Sequence, residues 1–161
     1  MKHAQRGASM VEFAISATAL LLIMFGILEF GRVMYIYHTV SNAARLGTRY
    51  AIVRGSQCSV LDNCPNVTGA QIETWLRSQV PMLDSSTTTL PGCDSAGLCV
   101  SASWSTSRDP SVDCSATDPS GNDDPGHMVC VTVSYPFNFA LPFISNTPLT
   151  LSSTSKMVIS N

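Results

Sequence analysis

The chain has 161 residues and a formal net charge of −2 at pH 7, and only 12% of its residues are charged. This length accommodates one small folded domain together with one membrane segment. Residues 1–57 carry six Lys or Arg and two Glu, whereas residues 58–161 carry three Lys or Arg and nine acidic residues. The acidic C-terminal part argues against nucleic acid as a partner. The low charge content is typical of a secreted or surface domain rather than of a cytosolic enzyme.

The N-terminus begins with a short basic leader that ends at Gly7. Glu12 follows five residues later and is the only charge before an apolar run over residues 13–28. A carboxylate at the centre of a membrane helix costs about 2.5 to 3.5 kcal/mol on insertion scales. The cost is lower near the end of a helix, where Glu12 lies. A mechanism that uses this carboxylate would explain why the chain keeps it.

The 16 uncharged residues between Glu12 and Glu29 predict a membrane-spanning helix. At 1.5 Å per residue they span about 24 Å, which is shorter than the hydrocarbon core of about 30 Å, so residues 9–11 are expected to contribute. A cleaved secretory signal would need a cleavage site of small residues just after the run, and residues 28–32 offer no such site. Signal-peptide cleavage and the core helix of a soluble protein are the two alternatives.

The helix is expected to continue past the membrane as a stem. No proline occurs between Glu29 and Val53, and Gly55 with Ser56 supplies a stop signal. Apolar or small residues recur near helical spacing, at Val33, Ile36, Tyr37, Val40, Ala44, Gly47 and Ala51. A single helix over about residues 9–54 is therefore predicted, with a face of small residues able to pack on a sheet.

Charged side chains on this helix are expected to pair or to face water. Glu29 and Arg32 are three residues apart and can pair on one face, which contributes roughly 0.2 to 0.5 kcal/mol. Arg45, Arg49 and Arg54 are interpreted as a solvated face or as contacts to lipid headgroups.

All six cysteines follow the apolar run, at Cys58, Cys64, Cys93, Cys99, Cys114 and Cys130. An even number of cysteines in a small exported domain is typical of a disulfide framework. Reduced thiols or a metal site form the alternative, but no C-x-x-C pair occurs and the gaps do not suit a zinc knuckle. Many connectivities are possible. Short-range pairing is our hypothesis, and it joins Cys58–Cys64, Cys93–Cys99 and Cys114–Cys130.

The disulfides also indicate the orientation of the chain. Basic residues flank the apolar run on both sides, so the positive-inside count is nearly tied. Disulfides require the oxidising side of the membrane. We therefore expect a cytoplasmic N-terminus and a C-terminal domain outside the cytoplasm.

The outer domain is predicted to be α+β. Residues 70–80 form a short helix with Ile72, Trp75, Leu76 and Val80 on its apolar face, and Trp75 is interpreted as a core residue. Alternating patterns predict an antiparallel meander of three or four strands, at residues 87–90, 98–104, 127–135 and 149–159. Residues 105–126 are expected to be a loop, and residues 135–143 an apolar, proline-punctuated connection.

The sequence contains no convincing catalytic set. The histidines His3, His38 and His127 are far apart along the chain, and no serine nucleophile motif, phosphate loop or HExxH motif occurs. The acidic stretch 113–124 could hold calcium weakly through hard oxygens, but we interpret it as a solvated loop. The sequon at residues 66–68 is interpreted as a chance match. We expect no enzymatic activity, no cofactor and no metal.

The string Arg6-Gly7-Ala8-Ser9-Met10-Val11-Glu12, with ILEFGRVMY closing the apolar run, resembles the N-terminus of type IV pilin-like proteins. Over about residues 5–50 the chain resembles the TadE-like family in particular, the minor pilins or pseudopilins of the tight-adherence (Flp) pilus apparatus. The resemblance implies that a prepilin peptidase cuts after Gly7 and leaves Ala8 as the new N-terminus. It also implies that Glu12, the fifth residue of the mature chain, neutralises the amino terminus of an adjacent subunit.

The resemblance further implies a long N-terminal helix on a small antiparallel sheet, and a single-pass protein of the bacterial inner membrane. Its segments would be a leader (1–7), a transmembrane helix (8–30), a helix stem (31–54) and a periplasmic or extracellular domain (55–161). The implied partners are the prepilin peptidase, other pilin-like subunits, the pilus assembly platform and membrane lipid.

Two alternatives remain open from the sequence. The first is a single-pass exported binding domain, tethered by an uncleaved anchor and never assembled into a fibre. The second is a redox enzyme, which would need at least one reactive, exposed thiol.

Overall fold

The computed structural model describes residues 4–54, 67–84, 89, 90, 93, 96–105, 125–140 and 147–159, with the backbone alone over residues 4–6. The chain forms two compact units, Met1–Tyr35 and Ile36–Asn161. The described elements are α1 (Ala4–Val53), α2 (Gly69–Gln79), a 3-10 turn (Pro81–Asp84), β1 (Cys99–Ser105), β2 (Met128–Phe137) and β3 (Leu149–Val158). The predicted α+β fold, a long N-terminal apolar helix with a small antiparallel sheet, is confirmed.

Helix α1 begins earlier than the sequence pattern indicates and includes the end of the leader. Its N-terminal part exposes large apolar side chains, with Phe13 75% and Phe30 67% exposed. Contiguous apolar surface of this extent is typical of contact with a membrane or a partner. Within the described residues, α1 is the one helix long and apolar enough to cross a membrane, and its most apolar stretch is unburied. That exposure argues against the core helix of a soluble protein.

The sheet has the order β1-β2-β3, with both neighbouring pairs antiparallel. Residues that pair across strands lie on the same face, so Ala102 and Ser155 flank Val131 on one face of the sheet. The strand predicted at residues 87–90 is reduced to an isolated bridge between Thr89 and Ala96 in the part described. Strand β2 is buried along most of its length because it is the central strand.

The stem of α1 packs on the face of the sheet that carries Val131, and Gly47 permits the close approach. A Cβ atom at Gly47 would lie 3.0 Å from Val131 Cγ1, 3.1 Å from Leu76 Cδ1 and 3.3 Å from Ile72 Cγ2. The absent side chain thus makes room for one residue from β2 and two from α2. The buried stem residues are Val40, Ala43, Ala44, Thr48 and Ala51.

Thr48 adds a polar link from the stem to the sheet. Its hydroxyl lies 2.8 Å from the carbonyl oxygen of Ala44 and 3.3 Å from that of Ser155 on β3. The sequence pattern did not include Thr48 in the packing face. The pattern did include Tyr37. The structure shows Tyr37 exposed, because the buried face of the stem runs through Ala43 and Thr48 instead.

Helix α2 begins with a capping box. The Thr68 hydroxyl accepts from the backbone N–H of Gln71, and the Gln71 side chain accepts from the backbone N–H of Thr68, the reciprocal pair of hydrogen bonds that defines a capping box. Trp75 is half-buried and stacks on Tyr50 of the stem, with 4.4 Å between ring centroids. The Arg54 guanidinium lies 3.9 Å from the same Tyr50 centroid.

One predicted disulfide, Cys93–Cys99, is present. Cys130 is also disulfide-bonded, and its partner lies outside the described residues. The predicted pairs Cys58–Cys64 and Cys114–Cys130 each include residues outside that part of the chain, so both pairings stay predictions.

Arg77 ties α2 to the loop closed by Cys93 and Cys99. Its Nη2 lies 2.8 Å from Glu73 Oε1 and donates at 2.6 Å to the carbonyl oxygen of Leu98. Its Nη1 lies 3.4 Å from the carbonyl oxygen of Ala96. A guanidinium fork can serve several acceptors that point in different directions, so one side chain joins the helix, the loop and the start of β1.

We expect Gly47→Val to lower the free energy of unfolding by about 1 to 3 kcal/mol, because the added methyl groups overpack the contact with Val131 and Leu76. Urea unfolding of the full chain in detergent, followed by tryptophan fluorescence, measures this change. Asn42→Val, on the exposed side of the stem, is the control and should change stability by no more than about 0.5 kcal/mol. Equal losses in the two variants would contradict the packing account.

We expect Arg77→Lys to destabilise the domain by about 1 to 2 kcal/mol, because lysine keeps the charge but loses the fork that reaches two backbone carbonyls. The same unfolding measurement applies. Arg49→Lys makes the same chemical change at an exposed stem position and should leave stability nearly unchanged. If Arg77→Lys also leaves stability unchanged, Arg77 does not hold the loop.

Candidate functional site

Gly7 and Ala8 lie within the first turns of α1, on exposed backbone. A Cβ atom added at Gly7 would meet nothing within 4 Å. Glycine inside a helix costs roughly 0.5 to 1 kcal/mol relative to alanine. Packing in the described part of the chain therefore gives no reason for glycine at position 7, in contrast to Gly47.

Glu12 lies one helical turn after Ala8, and residues four apart share a helix face. Its side chain is exposed, between the exposed apolar residues Val11 and Phe13. Among the residues that the structure describes, no cation pairs with Glu12. The carboxylate therefore remains available to a positive charge from another molecule.

Glu29 lies at the C-terminal end of the apolar run, and its surroundings differ from those of Glu12. Nη1 of Arg32 lies 2.9 Å from Glu29 Oε1 and 2.7 Å from Oε2, so the predicted ion pair is confirmed. Glu29 is only 7% exposed, whereas the Arg32 side chain is 51% exposed. The two carboxylates that bound the apolar run thus differ, since Arg32 neutralises Glu29 whereas no cation pairs with Glu12 among the described residues.

The remaining polar groups form no second site in the described ranges. No group of three His, Cys, Asp or Glu side chains there is arranged to hold a metal ion. The acidic stretch 113–124, for which weak calcium binding was considered, lies outside those ranges. The described cysteines Cys93, Cys99 and Cys130 are all disulfide-bonded, so none of them offers the reactive thiol that a redox enzyme requires.

Two residues with clear structural roles were missed by the sequence reasoning. Thr68 was noted only as part of a sequon, although the pattern Thr68-x-x-Gln71 is the sequence signal of a capping box. Glu73, four residues before Arg77, is a local signal for their ion pair, but the sequence gives no signal for the backbone carbonyls about 20 residues away that Arg77 also reaches. The ring of Tyr50 on the stem contacts Trp75 of α2 and the guanidinium of Arg54. The contact with Trp75 likewise depends on tertiary packing.

Comparison with known proteins gives one finding. Residues 7–49 match the family model described as TadE-like protein, a range that begins at Gly7 and includes Glu12, the Glu29–Arg32 pair and most of the stem. No curated protein and no solved structure matches the chain significantly. The resemblance drawn from the sequence is confirmed over residues 7–49, and this match supports a TadE-like protein related to the Tad pilus system.

Proposed function

We propose that this protein is a minor pilin, or pseudopilin, of a tight-adherence pilus. It is a membrane-anchored structural subunit, not an enzyme, and it needs no cofactor. It acts in initiating, priming or tipping the pilus, and so in surface adherence. The observation that carries the proposal is the exposed Glu12 carboxylate, which has no cation within the described chain and lies one turn from Ala8.

Maturation requires cleavage of the peptide bond between Gly7 and Ala8 by a prepilin peptidase. Water adds across this bond, which leaves a carboxylate on Gly7 and an amino group on Ala8. The amino group is mostly protonated at neutral pH, since α-amino groups titrate at about 7.7 to 8.0. The open surroundings of Gly7 support this step, because a protease that approaches here meets no packed side chain. The first helical turn must open for cleavage, and helix ends fray readily.

Assembly then pairs the Ala8 ammonium of one subunit with the Glu12 carboxylate of its neighbour. Two unit charges 4 Å apart attract by about 4 kcal/mol at an effective dielectric constant near 20. Each charge would be costly beside lipid without the other, and the pair offsets much of the desolvation cost of both. Glu29 is a poor substitute, because Arg32 already neutralises it within the chain.

The disulfides support the proposed topology. Cys93–Cys99 lies in the folded unit after the apolar run, and disulfides persist on the oxidising side of the membrane. We therefore place the N-terminus in the cytoplasm and the sheet domain in the periplasm, with the apolar part of α1 in the inner membrane. Pilin-like subunits and the assembly platform are the expected partners.

We expect Gly7→Val to block maturation in a host that carries the processing machinery, because a branched side chain hinders access to the scissile bond. Intact mass spectrometry of the membrane protein should show the leader retained. Gly31→Val is the matched control, since Gly31 also has open surroundings in α1, and its product should begin at Ala8. Normal cleavage of Gly7→Val would contradict Gly7 as the processing residue.

We expect Glu12→Gln to be cleaved normally but to co-purify with other pilin-like subunits at least about tenfold less than the unsubstituted chain. A tenfold change corresponds to about 1.4 kcal/mol, well below the attraction estimated for the charge pair. Glu29→Gln removes the same charge at the other end of the apolar run and should retain co-purification. Unchanged co-purification of Glu12→Gln would overturn the assembly role of this carboxylate.

A further inference from the structure

The C-terminal end of the apolar segment carries a cation beside exposed apolar side chains. Leu28 and Phe30 are exposed, and Arg32 is the first basic residue after the run. A cationic side chain at this boundary lies where an apolar segment leaves the hydrocarbon core and meets the headgroup layer. In the proposed membrane anchoring, this position would bring the guanidinium to the level of the lipid phosphates.

The geometry of Arg32 leaves it suited to a second anion. Nη1 contacts both oxygens of Glu29, and the side chain is still half exposed. Guanidinium groups present five N–H donors in a fixed fork that matches phosphate oxygens. Glu29 therefore orients the arginine and neutralises part of its charge without enclosing the whole group.

Tyr35 lies three residues after Arg32, on the same side of the helix, and is 57% exposed. Tyrosine is enriched at membrane–water interfaces, where its ring contacts the acyl boundary and its hydroxyl contacts the headgroups. Arg32 and Tyr35 together present a cation and an amphipathic ring one helical turn apart, at the end of an exposed apolar surface.

We propose that Arg32, with Tyr35 beside it, binds the phosphate of an anionic phospholipid headgroup and so fixes the depth of the helix in the membrane. The inference rests on the proposed membrane anchoring and adds a lipid site to it. The guanidinium donates to the phosphate oxygens, while Glu29 holds the opposite side of the arginine. Because the carboxylate competes with the phosphate for the same cation, removing its charge strengthens lipid binding.

The test uses the full chain in nanodiscs that contain equal amounts of phosphatidylglycerol and phosphatidylcholine. Native mass spectrometry after gentle release then measures which lipid the protein retains. We expect the unsubstituted chain to retain phosphatidylglycerol over phosphatidylcholine by less than about fivefold, the enrichment that corresponds to one uncompensated surface arginine, because Glu29 neutralises part of the charge of Arg32. Arg32→Gln should reduce the ratio to near parity, and Glu29→Gln should raise it.

Arg49→Gln is the control, because Arg49 is an exposed arginine on the stem of the same helix, and the proposal assigns it to the solvated face rather than to the lipid headgroups. Its lipid ratio should match that of the unsubstituted chain. An unchanged ratio in Arg32→Gln, or an equal loss in Arg49→Gln, would overturn the lipid site while leaving the membrane anchor intact. If the unsubstituted chain fails to enter nanodiscs at all, the lipid site and the membrane anchoring are both wrong.

Discussion

The cost of placing a charged side chain beside lipid governs the N-terminal half of this molecule. Two carboxylates lie at the two ends of the apolar run, and their surroundings differ. Arg32 reaches both oxygens of Glu29 and neutralises it locally, whereas Glu12 is exposed without a cation among the described residues. An unneutralised charge at the edge of the membrane is tolerated when another molecule supplies the counter-charge. In the proposed function that charge is the amino terminus of a neighbouring processed subunit.

A second constraint acts in the folded unit, where α1 can pack closely only at a residue that has no side chain. Gly47 lets the stem of α1 approach Val131 of the sheet and two residues of α2 at near contact distance. Thr48, one residue later, adds a hydrogen bond to the carbonyl oxygen of Ser155. The glycines of α1 thus divide into two kinds, since Gly47 is explained by packing whereas Gly7, Gly26 and Gly31 have open surroundings.

Local patterns in the sequence predicted most of the described fold. Several features depend on residues that lie close together along the chain, and the sequence pattern therefore predicts them. They are the apolar run, the short helix, strands β2 and β3, and the Glu29–Arg32 pair. The failures involve distant partners. The exposure of Tyr37 and the burial of Thr48 depend on how the stem meets the sheet, and the role of Arg77 depends on carbonyls of a disulfide-closed loop. At the candidate site, the sequence spacing identified Gly7 and Glu12. Only the structure shows that no described side chain packs against Gly7.

The central claim is that this chain is a processed pilin-like subunit, and the mature N-terminus tests it most directly. Mass spectrometry of the protein purified from the membrane of its native host should find Ala8 as the first residue. That result would create the Ala8 amino group that the charge-pairing account requires for pairing with Glu12 of a neighbouring subunit. Retention of Met1 or Lys2 in the presence of the processing machinery would contradict the account and favour an exported binding domain on an uncleaved anchor.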